Sequence, residues 1–372
     1  MNSLSTPLSR PRLGGAVFLL FFLLYGAYSY LRYEPHSFTR ADPAWMAHAV
    51  ISLAEDQDID LRNQLGNDPA RAADQTALGA RGEWYPLHEP VLAIVALPFY
   101  LGAGINGLLL FNLLCAATTQ TLLFMLCTRY APPLLALGAT ILIGCGTLFL
   151  VYSYSFSQDL WGALLTIAAF TALAHERPRL GGVLFGLAVL SRYVMVAAAP
   201  GLLFLICLKR DKRALGRFLI AGAPFAVVLL LSNWWCFGSP WQTSYHHWQR
   251  FEGGSLQLVN QLQATFVKPW GVGIAELLLD PVSGFHGSLP MWPLVLLGLI
   301  VGAREHTIVA AFLVAIGQLL LFSRFEGYPG TPGNRYLMVS VGLAALPTAL
   351  LLDRLKTLLW NTPAKKRNDL GR

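Results

Sequence analysis

The sequence predicts an all-α polytopic membrane protein with about ten transmembrane helices. Apolar stretches recur along the 372-residue chain, several near the roughly 20 residues that cross a hydrocarbon core about 30 Å thick. Only 13% of residues are charged, against roughly 25% in soluble domains. The charges also sort to opposite sides once the apolar segments are threaded in alternation.

The first span, 13–31, follows Arg10 and Arg12 and has no convincing small-residue cleavage site after it, so it reads as an uncleaved anchor. Residues 32–104 form a large extracytoplasmic loop. Within it Asp42-Pro43 reads as an N-cap with proline at the first helical position. Trp45, Met46, Ala49, Val50 and Leu53 then share one face, which predicts an amphipathic helix along the outer interface. The acidic run Asp56, Asp58 and Asp60 reads as a solvated helix end, because it lacks the glycine and terminal glutamate of a calcium loop. Trp84-Tyr85-Pro86-Leu87-His88-Glu89-Pro90 leads into Val91–Leu101, an apolar segment too short to span, which dips or lies flat.

Core spans occupy 105–233, read as 105–128, 133–152, 160–175, 180–196, 197–208 and 215–233. A second extracytoplasmic loop covers 234–290, dense in aromatics from Trp234 to Trp248. Its Trp241 and Tyr245 either line a substrate or belong to a headgroup-level belt. The last spans are 291–302, 306–323 and 336–352, and a basic cytoplasmic tail follows over 353–372. The whole is one integral membrane domain.

Orientation follows from the rule that positive flanks stay cytoplasmic. With the N-terminus inside, the cytoplasm receives seventeen of the twenty-seven basic residues but only five of the twenty acidic ones. Both termini are then cytoplasmic, and the acids gather outside, in what reads as a bacterial inner membrane. The isoelectric point near 9.2 therefore reflects membrane anchoring and implies no nucleic-acid partner. Five cysteines lie almost all within spans and suggest neither a disulfide framework nor a metal site. His246, His247 and His286 lack metal-ligand spacing, so no zinc is expected.

The spans hold almost no ionisable groups, and no internal repeat is visible. A lipid or glycan transporter, or a flippase, is the alternative reading, but it should carry paired half-structures and polar residues at mid-span. A non-catalytic scaffold leaves the clustered outer acids unexplained. Polar groups at the outer ends of spans favour a reaction at the membrane surface.

An ordered set of motifs resembles the GT-C superfamily of glycosyltransferases. Asp42 opens a surface helix in the first outer loop. The Trp84–Pro90 turn precedes Leu97-Pro98-Phe99-Tyr100. Tyr154-Ser155-Phe156-Ser157-Gln158-Asp159 sits in the second outer turn. Gly186-Leu187-Ala188-Val189-Leu190-Ser191-Arg192, Phe237-Gly238-Ser239-Pro240 and Gly333-Asn334-Arg335-Tyr336-Leu337 follow. The set looks most like the protein-O-mannosyltransferase and aminoarabinose-transferase-like branch. Two features differ: Pro43 stands where that family often has a second acid, and no soluble C-terminal domain is evident.

The resemblance implies an inverting transfer of a sugar from a polyprenyl-phosphate donor to a hydroxyl of a lipid, glycan or protein. Such a reaction needs a base for the acceptor hydroxyl and cations for the phosphate oxygens. Asp42 is the expected base. Its plainer role is to cap its helix, worth about 1 kcal/mol. Asp159 is the expected second carboxylate, orienting the acceptor or ligating a metal; its plainer role is a helix-dipole partner. Glu34 rivals either. Arg192 and Arg335, then Arg324 and Lys268, are expected to bind donor phosphate. Arg192 has snorkelling as its alternative, and the other three have interface anchoring. His88, Tyr85, Trp241, Tyr245 and Glu34 are expected to line the substrate. No metal ligand set is assigned, and a divalent cation (Mg or Mn) is left open as a cofactor.

Overall fold

The apolar segments form helices, as the computed structural model describes over residues 9–32, 41–68, 71, 73, 75–208, 211–282, 284–326 and 334–360. In chain order the first elements are α1 (Ser9–Arg32), α2 (Ala41–Glu55), β1 (Thr76–Leu78), β2 (Trp84–Pro86) and α3 (Val91–Cys127). The middle of the chain forms α4 (Pro133–Gly146), α5 (Leu148–Tyr152), α6 (Gln158–Ala174), α7 (Pro178–Ser191), α8 (Ala199–Cys207) and α9 (Lys212–Phe237). Next come β3 (Trp248–Glu252), β4 (Ser255–Val259), α10 (Gln261–Thr265), α11 (Trp270–Leu279) and α12 (Phe285–Ser288). The chain then runs through α13 (Trp292–Val301), α14 (His306–Phe322), α15 (Met338–Leu343) and α16 (Ala345–Trp360).

Among the described residues, four helical stretches are long and apolar enough to cross a membrane unaided: Arg12–Arg32, Val91–Cys127, Lys212–Phe237 and Arg335–Trp360. Shorter apolar helices of 10–17 residues fill in between them. The long helices are covered very differently. The apolar window of Arg335–Trp360 is 89% buried in protein, whereas that of Lys212–Phe237 is 6% buried. The last stretch is therefore a central post. Helix α9 turns Ile220, Val227 and Leu231 outward, each more than half exposed. Such a continuous apolar surface needs a hydrocarbon solvent, and the protein is integral to a membrane.

Val91–Leu101 and the span after it are helical but not collinear. Ala103 and Gly104 break the helix, and Gly104 takes φ 58°, ψ −140°, a conformation open to glycine alone. The break folds the short segment back so closely that a Cβ on Gly107 would lie 1.8 Å from the Phe99 carbonyl oxygen. Gly107→Ala should therefore lower stability by at least about 2 kcal/mol, read as a fall in unfolding temperature of the detergent-purified protein. A variant that melts with wild type would show that the two segments can separate.

Helix α2 packs on α3. Met46, Ala47, Ala49 and Val50 are each at most 2% exposed. Its apolar face is thus covered by protein, where the pattern alone predicted a helix lying on the interface. The helix opens at Ala41, so Asp42 falls in its first turn and not before it. The acidic run beyond α2 is not simply solvated. Asp58 Oδ1 accepts from Ser52 Oγ at 2.8 Å and Asp60 N at 3.0 Å, and Asp60 Oδ1 accepts from Trp84 N at 3.0 Å. These carboxylates satisfy loop N–H groups and tie the end of α2 to β2.

The two long loops share a sheet that the sequence does not announce. Its order is β2-β1-β3-β4, antiparallel throughout, with Ala77 opposite Trp248 where the first long loop meets the second. The sheet sets residues just after β2 beside residues just before β3.

Candidate active site

Three turns at helix ends converge. The first delivers Asp159. Asn112, buried in α3, donates from Nδ2 to the carbonyls of Tyr152 at 2.9 Å and Ser153 at 2.8 Å, and its Oδ1 accepts from Ser157 N at 3.3 Å. Ser157 caps α6, its hydroxyl accepting from Asp159 N at 3.2 Å. The second turn delivers Arg192, where α7 ends in extended backbone and a 3₁₀ turn, Tyr193–Ala198, begins. Trp161 Nε1 donates to Ser191 Oγ at 3.1 Å, which locks the start of α6 against the end of α7. The third delivers Arg335. Asn334 caps the 3₁₀ turn Arg335–Leu337, and Gln318 of α14 donates to Tyr336 O at 2.8 Å and accepts from Ser340 N at 3.0 Å.

Arg192 Nε lies 2.9 Å from Asp159 Oδ1, and Arg335 Nε lies 3.6 Å from Asp159 Oδ2. Asp159 is 1% exposed and Arg192 3%. The guanidinium carbons of Arg192 and Arg335 lie 5.6 and 5.3 Å from the Tyr336 ring centroid. One carboxylate thus holds two arginines side by side, and the group keeps a net charge of about +1 in a low-dielectric setting. Arg192 Nη1 is buried and makes no hydrogen bond among the described residues.

Arg192 lines a cavity of about 290 Å³ together with His88, Thr243, Gln261, Thr265 and three tyrosines, Tyr193, Tyr245 and Tyr336. Val194, Val196, Leu262, Phe266, Leu321, Phe322 and Phe325 supply its apolar walls. His88 Nδ1 meets the Tyr245 hydroxyl at 3.1 Å, a contact between the two outer loops. Burial pushes the Tyr245 hydroxyl well above its ordinary pKa, so it keeps its proton. The cavity thus sets a buried guanidinium among largely apolar walls.

The remaining predicted residues are placed elsewhere or not described. Arg324 donates to Phe266 O at 3.1 Å and lies 5.6 Å from the Trp270 ring, bracing the loop before α11. Lys268 pairs with Glu276. Neither belongs to the cluster, because each finds a closer local partner. Tyr85 is 6% exposed and packs edge-on against Phe237 in the base of the sheet, away from the cavity. Trp241 is 77% exposed beyond α9, as a headgroup-level aromatic would be. The Asp42 side chain and the whole of Glu34 lie outside the described residues.

Three residues near the site escape the sequence reading: Tyr336, whose ring neighbours both guanidinium groups, Tyr193 on the cavity wall, and Glu89, buried next to His88 in sequence. Each neighbours a residue that sequence does nominate, but burial is what gives them a role. Among the described residues no three His, Cys, Asp or Glu side chains gather, and the Asp159 carboxylate faces two guanidinium groups.

This fold has solved counterparts. It superposes on ArnT from Cupriavidus metallidurans bound to undecaprenyl phosphate with a TM-score of 0.61 at 13% identity, covering 92% of this chain and 61% of that one. The two chains share a fold. The apo oligosaccharyltransferase of Archaeoglobus fulgidus gives a TM-score of 0.59 at 14% identity, covering 96% of this chain and 52% of that one. The archaeal oligosaccharyltransferase AglB from Archaeoglobus fulgidus, in complex with an inhibitory peptide and a dolichol-phosphate, gives 0.53 at 15% identity, with the same coverage. The chain therefore spans roughly half to three-fifths of the length of these structures. Residues 88–236 match the dolichyl-phosphate-mannose-protein mannosyltransferase family, a stretch of less than half the chain. No curated protein matches by sequence. The matched stretch begins at His88 and takes in both Asp159 and Arg192.

Proposed function

We propose that the chain is a GT-C-type glycosyltransferase that moves a sugar from a polyprenyl-phosphate donor to a hydroxyl acceptor. The observation that carries this reading is the Arg192–Asp159–Arg335 group, whose Arg192 also lines a largely apolar cavity. A cluster of net charge about +1 suits a prenyl phosphodiester monoanion, and the apolar walls suit the first part of its tail. The structural neighbours with undecaprenyl phosphate and dolichol-phosphate bound support the same donor class.

In the proposed reaction the acceptor oxygen attacks C1 of the sugar from the face opposite the phosphate. The C1–O bond breaks, its electron pair leaves with the phosphate oxygen, and the acceptor proton passes to Asp42. The configuration at C1 inverts. The departing polyprenyl phosphate gains negative charge as it leaves, and Arg192 and Arg335 stabilise that charge more in the transition state than in the bound donor. Asp159 keeps both guanidinium groups aimed without movement during the step.

The proposal places about ten spans in a bacterial inner membrane, both termini in the cytoplasm and the site on the outer face. The excess of basic residues on the cytoplasmic side supports this orientation. Asp42→Asn should reduce transfer of labelled sugar from a polyprenyl-phosphate donor by at least about 100-fold, with unchanged membrane expression. Transfer at the wild-type rate would remove Asp42 as the base.

A further inference from the structure

The two ends of α7 differ in their surroundings. Arg192 follows its last residue, in the site described above. Pro178 opens it, and a helix of 14 residues puts that start about 20 Å from Arg192. Helix α9 begins at the same end. A Cβ on Gly182 would lie 2.1 Å from the Phe218 carbonyl oxygen, and one on Gly186 would lie 3.1 Å from Gly222 Cα. These contacts advance together along both segments, so α7 and α9 run parallel with their backbones close. At the other end the hydrogen bond from Tyr193 to Asn233 closes the pair.

Where the two helices start, Arg177, Pro178, Arg179, Leu180 and Arg217 line an open pocket. Among the described residues no acid lines it. Residues 175–180 and 211–217 hold five basic residues against two acids, Glu176 and Asp211, so the surroundings stay cationic. Asp211 caps α9, its Oδ1 accepting from Arg213 N at 2.8 Å, and its Oδ2 lies 4.0 Å from Arg217 Nη2. That ion pair is long and half-exposed, which makes it weak. Arg177 stands at the N-cap of α7 and has no acceptor to offer the N–H groups of the first turn. Cations gathered at helix starts repel one another and oppose the helix dipole. An anion set between them reverses both effects.

The pocket adjoins surface that needs hydrocarbon. Leu180, which lines it, and Val183 are exposed on α7, and Leu219 and Ile220 are exposed on α9 just past Arg217. A cationic pocket beside exposed apolar helix faces matches both halves of an amphiphile, and a free phosphate ion would use only one of them. We infer that this pocket binds the phosphate headgroup of an anionic membrane lipid, with its acyl chains along Leu180, Val183, Leu219 and Ile220. The guanidinium groups of Arg177, Arg179 and Arg217 hold the phosphate oxygens. The bound lipid bridges the starts of α7 and α9. The site is separate from the cavity at Arg192 and does not depend on the sugar-transfer reading.

The test is binding of phosphatidylglycerol to the full-length protein in neutral detergent, read by native mass spectrometry as the lipid-bound fraction across a titration. Phosphatidylcholine is the zwitterionic comparison. Wild type should bind phosphatidylglycerol about tenfold or more tightly than phosphatidylcholine. Arg217→Gln should weaken phosphatidylglycerol binding about fivefold, and the triple variant Arg177→Gln/Arg179→Gln/Arg217→Gln about 100-fold. All three side chains are exposed, so without lipid the triple variant should melt no lower than wild type. Equal affinity for the two lipids would overturn the inference, as would wild-type affinity in the triple variant. Should the triple variant fail to fold, unchanged affinity in Arg217→Gln would overturn it alone. Inorganic phosphate that raises the unfolding temperature of wild type as much as phosphatidylglycerol does would overturn the lipid as occupant.

Discussion

Replacing Asp159 by alanine should cost about 3–5 kcal/mol of stability, the largest effect expected of any single change in this protein. The substitution leaves Arg192 charged and 3% exposed with its closest counter-ion gone. It also frees Arg335 from the same carboxylate. The measurement is the unfolding temperature in detergent, beside the doubly substituted Asp159→Ala/Arg192→Met. The double variant should recover a good part of the loss, because a buried pair replaced by apolar groups costs far less than one partner left alone, yet it should not recover transfer. Equal melting of wild type and Asp159→Ala would show that water reaches Arg192 and that the pair carries no structural load.

Arg192→Lys should reduce kcat/KM for sugar transfer by about 10²–10³-fold while the protein folds normally. Lysine keeps a positive charge beside Asp159, so the stability argument above hardly applies. It lacks the planar fork with which arginine can face Asp159 through Nε and a phosphate oxygen through Nη1. Steady-state transfer from a polyprenyl-phosphate sugar checks it. A loss smaller than about tenfold would move the phosphate to other cations.

The outer-end arginines were legible as candidates because an ionisable group at the end of an apolar span is conspicuous. Which of them would converge was not. Arg192, Arg335 and Arg324 look alike in sequence, yet Arg324 turns to the Phe266 carbonyl, and only the first two meet Asp159. Local pairings decide this, and they depend on loops whose paths sequence spacing does not set. The helices fall on the apolar segments, though 133–152 divides at Thr147, 180–196 leaves the α-helix at Ser191, and Ala103 and Gly104 separate Val91–Leu101 from the stretch after it. The sheet was hidden because β1 is three residues long, has no alternation to read, and pairs with a strand from the other outer loop. Burial of Glu89 was hidden for a related reason: Tyr193 and Tyr245, which cover it, come from elsewhere in the chain.

The pairing of Ala77 with Trp248 has a consequence for how the protein is made. The two residues are 171 positions apart, and ribosomes add about 5–20 residues per second, so the first outer loop waits roughly 10–30 s for its partner strand. During that interval the helices between them must be inserted while β1 and β2 stand as an uncompleted edge. His88 cannot meet Tyr245 until the wait is over. A chain truncated before β3 should therefore reach the bilayer and still leave its outer loop open to added protease, maturing only when the second loop emerges.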